Sequence, residues 1–321
     1  GKVQSCTGGL LRLSMQGQVS IGQGLRVADV PAVVLRFDRT GVVAAALDTA
    51  EAGASVSSCG TLTLQPREWK AGVSHCSLSE IVTPSGVLTE SLLKLPGGPR
   101  VSKRGPVRRH LPSGLAAMEA LLPMAEGQRL GLVGPPGTGK STALRMLVAA
   151  QAPDTAVVFV AHRARARLEA DFADLSQRSA PVVILSAEPS SAAPERYFLL
   201  LAALRLAVKL GRSHRNVLLA VDDVVNFADA AAELGVPPMS AAQVVASTLE
   251  AAGNETSNGE PERALSVAMA LDLSPTDELA MVPRDLWRSV EPSLDICANF
   301  CSDLASKGVY PAIDLDWLNG T

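Results

Sequence analysis

The segment Gly134-Pro135-Pro136-Gly137-Thr138-Gly139-Lys140-Ser141 sets glycines, a lysine and a hydroxyl at the spacing of a phosphate-binding loop. Each residue type has a task there. Gly134, Gly137 and Gly139 let the backbone turn its N–H groups toward phosphate oxygens. Lys140 places a point charge on the outer phosphates, and Ser141 offers a hydroxyl to Mg2+. Pro135, Pro136 and Thr138 complete the loop. Thr142 continues it into a helix whose positive dipole end faces the anion. Such a loop binds phosphate but does not by itself hydrolyse anything. A magnesium ion there needs a second oxygen donor, and "NVLLAVDD" supplies one. Asp222 ends that apolar run, with Asp223 as the neighbouring alternative.

These groups must be held by regular elements. "RLGLVG" reads as a buried strand feeding the loop, and "KSTALRMLVAAQ" reads as a helix leaving it. "TAVVFVA", "APVVILSA" and "NVLLAVDD" are further short apolar strands, with helical stretches such as "RYFLLLAALRLAVKLG" between them. Alternating strands and helices predict an α/β fold, a largely parallel sheet covered on both faces. The first 66 residues differ in texture. "GLLRLS", "QVSIG", "GLRV", "AVVLRF", "GVVAAAL", "ASVSS" and "GTLTL", separated by tight turns, predict a small antiparallel β-barrel. Residues 67–112 read as a linker leading into a nucleotide-binding domain over 113–321. The linker's Lys103, Arg104, Arg108 and Arg109 form a solvated connector or, alternatively, a phosphate-binding patch. "AAGNETSNGEPERA" is polar and reads as a mobile loop, and no internal repeat is visible.

Composition excludes several classes. The chain has 321 residues, 47% of them hydrophobic and 19% charged, which fits a large core and not disorder. A net charge of −3 gives no electrostatic case for nucleic acid as the dominant partner. No apolar run approaches the roughly 20 residues of a membrane span, so direct membrane insertion is not expected. The scattered cysteines Cys6, Cys59, Cys76, Cys297 and Cys301 read as reduced thiols. Cys297 and Cys301 share a face if they lie on a helix, but they lack further ligands for a metal and read as small buried residues. The amino terminus, Gly1, carries no targeting pattern.

The longer segments around these motifs resemble the nucleotide-binding subunits of rotary ATP synthases and the related flagellar and type III secretion ATPases. "LPSGLAAMEALLPMAEGQRLGLVGPPGTGKSTAL" is similar to the family's approach to its loop. "VVILSAEPSSAAPERYFLLLAALRLAVKLG" and "RNVLLAVDDVVNFADAAAELG" are similar to its next strand–helix units, and "LASKGVYPAID" is similar to its "GIYPAID" segment. The resemblance implies a P-loop, RecA-like domain behind an N-terminal barrel. It also implies that Ser141 and Asp222 hold Mg2+ and that Tyr310 packs against adenine.

Departures from the pattern bear on catalysis. The family's catalytic glutamate lies in "VGER-RE", against Val160-Ala161-His162-Arg163-Ala164-Arg165-Ala166-Arg167 here. Aligning the arginines puts Ala164 at the glutamate position, and a methyl group cannot orient an attacking water. Glu169 is the substitute if the register slips. Asn226 stands where catalytic members carry arginine. The family's Ser-Arg pair after "YPAID" is replaced by Asp314-Leu315-Asp316-Trp317-Leu318-Asn319-Gly320-Thr321, and the resemblance to the family leads us to expect the C-terminal helical domain to be absent.

The resemblance therefore implies a non-catalytic subunit, a pseudo-ATPase with no catalytic residue of its own. It would bind Mg-ATP or ADP as a structural or regulatory part of a larger ATP synthase-like assembly, beside homologous subunits in a hetero-oligomer. The alternative is a slow, active ATPase that uses Glu169 or a neighbour's residue, and a second alternative is an architectural protein with a vestigial site. The expected location is intracellular, the mitochondrial matrix being favoured over the cytoplasm.

Overall fold

The computed structural model describes residues 1–15, 18–39, 41–85, 91–95, 104–257, 260–272 and 281–315. The first six strands are β1 (Lys2–Thr7), β2 (Leu10–Ser14), β3 (Gly24–Val27), β4 (Val30–Asp38), β5 (Gly41–Ala46) and β6 (Val56–Ser58). They form one antiparallel sheet in the order β1-β2-β5-β4-β3-β6. Its two edges meet: Lys2 bridges Ser55, and the Val3 N–H donates to the Ala54 carbonyl at 3.0 Å. The sheet thus curls into the expected barrel, which removes exposed strand edges. Alternation along β4 and β5 sorts their side chains. Ala32, Val34, Val42, Ala44 and Ala46 fill the barrel, while Val33 and Ala45 join the core beneath it. The "QVSIG" run makes no strand, because Gly22 at φ +80 turns the chain there.

Next come β7 (Thr61–Leu64), β8 (Gly72–Cys76), helix α1 (Leu78–Ile81) and β9 (Val82–Ser85). β7 and β9 pair with each other. β8 lies inside the stretch read as linker, yet it pairs in parallel with a strand of the main sheet. Its sequence, "GVSHC", has too few large apolar residues to announce a strand. Then follow β10 (His110–Leu111), α2 (Ala116–Leu121), β11 (Met124–Ala125), β12 (Arg129–Gly134), α3 (Lys140–Ala150), β13 (Ala156–Ala161) and α4 (Arg165–Asp171). The rest comprises β14 (Pro181–Ser186), α5 (Ala193–Leu210), β15 (Asn216–Asp222), α6 (Val224–Glu233), α7 (Pro238–Glu250), β16 (Gly253–Ser257), β17 (Glu260–Asp272), α8 (Met281–Val290), β18 (Ile296–Asn299) and α9 (Ser302–Ser306).

The main sheet runs β18-β12-β17-β15-β13-β14-β8, all parallel, with β16 added antiparallel to β17. The pleat divides each strand between two cores. Val158, Val160, Leu219, Val221, Met269 and Leu271 face α5 and α6, while Val157, Phe159, Leu218, Ala220, Ala268 and Ala270 face α3. Helix α3 buries Lys140, Ala143, Leu144, Leu147 and Val148, the repeat expected of one helical face. Helix α5 is apolar nearly all round because it lies between the sheet and the barrel. Pro194 at its start closes on Gly9 of the barrel, and α5 packs with Val33 and Ala45.

Two expectations are corrected. The polar segment 251–264 is not a loop in its described part. β16 and β17 form a hairpin there, since Asn254 is buried and its Nδ2 donates to the Pro106 carbonyl at 3.2 Å; residues 258–259 lie outside the described residues. Cys297 and Cys301 share no helix, for Cys297 is in β18 and Cys301 precedes α9. All five thiols are free, and only Cys76 is fully buried. Among the described residues no three or more His, Cys, Asp or Glu side chains cluster as metal ligands, and no helix is long and apolar enough to cross a membrane. Of the basic run, Lys103 lies outside the described residues and Arg104 bridges Glu255. Arg108 and Arg109 surround a small hollow with Arg215, Arg263 and Glu126, at the end of the sheet opposite the phosphate loop.

Candidate functional site

The loop leaves β12 where that strand is flanked by β17 and β18. Gly134 ends the strand at φ +151, and a Cβ there would sit 2.3 Å from the Phe300 carbonyl oxygen. Only glycine fits that crossing. Gly139 holds a left-handed φ of +97 and begins α3. Inside the loop, the Thr138 hydroxyl donates to the Pro135 carbonyl at 2.8 Å. Lys140 is 4% exposed, and its Nζ donates to the same carbonyl at 2.6 Å. Ser141 is partly buried and Thr142 exposed, the latter accepting from Arg145 Nη2 at 3.3 Å.

The pleat explains which side chains meet the loop. Asp222 follows Leu218 and Ala220 on the α3 face, and Asp272 follows Ala268 and Ala270 on the same face. Asp222 Oδ1 accepts from the Ser141 hydroxyl at 2.7 Å. Arg163, just past β13, donates from Nη2 to Ser141 Oγ at 2.8 Å and pairs with Asp222 Oδ2 at 3.3 Å. Asp272 Oδ1 lies 2.6 Å from Lys140 Nζ. Burial raises the Asp222 carboxyl above its ordinary range and the charge of Asp272 adds to this, while the Ser141 hydroxyl and Arg163 oppose it.

Asp223 and His162 point to the other face. Asp223 takes φ +70 and caps α6, accepting from the Val225 and Asn226 N–H groups at 3.0 and 3.4 Å. Its carboxyl is pushed up to about 6, mainly by burial and then by Asp272. Asn226 donates to the same carboxylate, so it serves this cap. His162 is buried with Nε2 3.4 Å from the Arg196 carbonyl, and desolvation lowers its pKa to about 4 against the opposing pull of the Arg196 and Asp223 backbone.

Ala164 is exposed and caps α4 through backbone alone. Glu169 pairs with Arg165 at 2.9 Å, and Arg165 lies 3.8 Å from Glu80. That places Glu169 toward the β8 edge of the sheet, where it also acts on His75. The Tyr310 ring, 64% exposed, stands over the loop: a Cβ on Gly139 would be 3.5 Å from its Cδ1. Backbone pairing of Phe300 with Ile313, and of Asp314 N–H with the Asn299 carbonyl at 2.8 Å, fixes this segment against β18. Beyond Leu315, residues 316–321 lie outside the described residues.

Sequence reasoning missed Asp272 and Arg163. Asp272 carried the same signal as Asp222, an apolar strand ending in a carboxylate, in "SVAMALD". Arg163 had no signal of its own among neighbouring arginines.

The nucleotide-binding domain of the ATP synthase alpha/beta family matches residues 114–317. The SPI-2 type 3 secretion system ATPase of Salmonella typhimurium is 30% identical over 225 residues, 68% of this chain and 51% of that protein. The flagellum-specific ATP synthase of Pseudomonas aeruginosa is 29% identical over 238 residues, 68% of this chain and 50% of that protein. That of Helicobacter pylori is 26% identical over 224 residues, 66% of this chain and 50% of that protein. The chain thus spans about half the length of the curated relatives it matches. These relatives are bacterial flagellar and secretion proteins, which overturns the mitochondrial expectation. With its phosphate loop inside a match covering more than half its length, the chain belongs to the ATP synthase alpha/beta family, through that family's nucleotide-binding domain.

Proposed function

We propose that the chain binds Mg-ATP at this loop and hydrolyses it, as part of an oligomer of similar subunits. The observation that carries the reading is the corner formed by Lys140, Ser141 and Asp222. A buried lysine lies beside two hard oxygen donors 2.7 Å apart, the donor chemistry that magnesium takes. Relatives named as ATPases and ATP synthases favour turnover over an inert role. In this reading Ser141 and Asp222, which now pair with Arg163, would hold Mg2+. The ion supplies charge neutralisation on the phosphates. Lys140 orients the outer phosphates, and Tyr310 covers the adenine with a ring otherwise left in solvent.

A second reading, a nucleotide-holding subunit without turnover, has one observation in its favour. Ala164 brings no carboxylate to the loop, and Glu169 is committed to Arg165. Hydrolysis then rests on another carboxylate of this chain or on a neighbour. Single-turnover hydrolysis of pre-bound ATP separates the two readings. Conversion that is lost in Lys140→Ala, together with a loss of affinity of about 2–4 kcal/mol, is the expected result. ATP bound tightly but recovered intact leaves the second reading standing. Affinity indifferent to Lys140→Ala overturns both.

A further inference from the structure

We infer that Asp272 makes the site selective for the metal-bound form of a nucleoside triphosphate. The inference rests on the nucleotide-binding reading. The Lys140 ammonium has three protons, and its three partners are the Pro135 carbonyl at 2.6 Å, Asp272 at 2.6 Å and the Thr138 hydroxyl at 3.4 Å. The first and third belong to the loop itself. Asp272 is the one charged partner, and its side chain is 37% exposed where that of Lys140 is 4%. A phosphate arriving at Lys140 therefore has to share the ammonium with Asp272.

Asp272 has nowhere far to go. It closes β17 in register with Gly134, the first loop residue, and β17 is locked between β12 and β15. Two oxygens sharing one ammonium at ordinary hydrogen-bond length are at most about 5.6 Å apart. The carboxylate thus stays beside the outermost phosphate, on the same sheet face as Asp222. A metal-free triphosphate brings about four negative charges to this corner, and Mg2+ cancels two of them. At an effective dielectric of about 20, one unit of charge at such a distance changes affinity by upward of tenfold. Asp272 consequently penalises the naked triphosphate far more than its magnesium complex.

The test is calorimetric titration of wild-type protein and Asp272→Asn with ATP, in EDTA and in Mg2+. The asparagine keeps the shape and removes the charge. Asp272→Asn should tighten metal-free ATP by at least about tenfold more than it tightens the magnesium complex. Asp272→Ser should do the same if the asparagine variant folds poorly. In the wild type alone, metal-free ADP should bind more tightly than metal-free ATP. Wild-type binding with an unaltered metal-free affinity in both variants, or a wild-type preference for metal-free ATP over ADP, overturns the role of Asp272 only. No binding by any of the proteins overturns the nucleotide reading and this inference with it.

Discussion

His162 should make the chain acid-sensitive in a window that the structure defines. The ring is 5% exposed, wedged past the end of β13 against the Arg196 carbonyl. Desolvation lowers its pKa from 6.5 to about 4. Below pH 6.5 the unfolded chain takes up a proton on this residue that the folded chain refuses until about pH 4. Its contribution to stability is therefore complete above pH 6.5 and is lost as the pH falls through the window, with the unfolded state binding more protons. A gap of about 2.5 pH units at about 1.36 kcal/mol each comes to about 3 kcal/mol. The perturbation is His162→Gln, which keeps an amide donor for the Arg196 carbonyl and cannot titrate. Urea unfolding of both proteins from pH 4 to 7.5 gives two curves, and their difference isolates the residue. Raised carboxyls such as Glu195 and Asp229 act with the opposite sign in this range, and subtraction cancels them. The variant should be the less stable at pH 7.5 and should gain on the wild type by about 3 kcal/mol by pH 4. Parallel curves across the window would refute the argument, and would mean that the ring accepts its proton in place.

Two further outcomes follow from the loop. Asp222→Ala should weaken Mg-nucleotide about 10–100-fold, the usual effect of an outer-sphere partner, and metal-free nucleotide much less; equal losses measured by calorimetry would move the metal role to another carboxylate. Gly134→Ala should destabilise the fold by about 2–4 kcal/mol, because its Cβ meets the Phe300 oxygen at 2.3 Å, and an unchanged urea midpoint would contradict that crossing.

The parallel sheet was legible because its strands are buried on both faces. A run such as "AVVFVA" needs no alternation to be recognised when each side chain meets one of two cores. Burial on one face only was harder to see. β1, with exposed Lys2, Gln4 and Ser5 around Val3, has no such density and was passed over, although it closes the barrel. β8 and the β16–β17 hairpin escaped for a related reason. β8 is an edge strand and β16 is added on to the central β17, and pairing by backbone groups at such places leaves little mark in side-chain composition.

The site was legible where a residue type is forced and illegible where only geometry decides. The loop's glycines and lysine are demanded by the backbone path and the phosphate charge, so spacing alone finds them. Asp222, Asp223, Asp272, His162 and Arg163 differ in another way. All lie at or just beyond strand ends, and the pleat decides their facing: Asp222, Asp272 and Arg163 reach the loop side, while Asp223 and His162 turn toward α5 and α6. A one-residue change of register exchanges the two sets, which is why a sequence alignment at the end of β13 is a fragile basis for assigning a catalytic carboxylate. The same parity explains how one "DD" pair serves two ends. Asp222 meets Ser141 and Arg163, and Asp223, one residue on, starts a helix on the opposite side of the sheet.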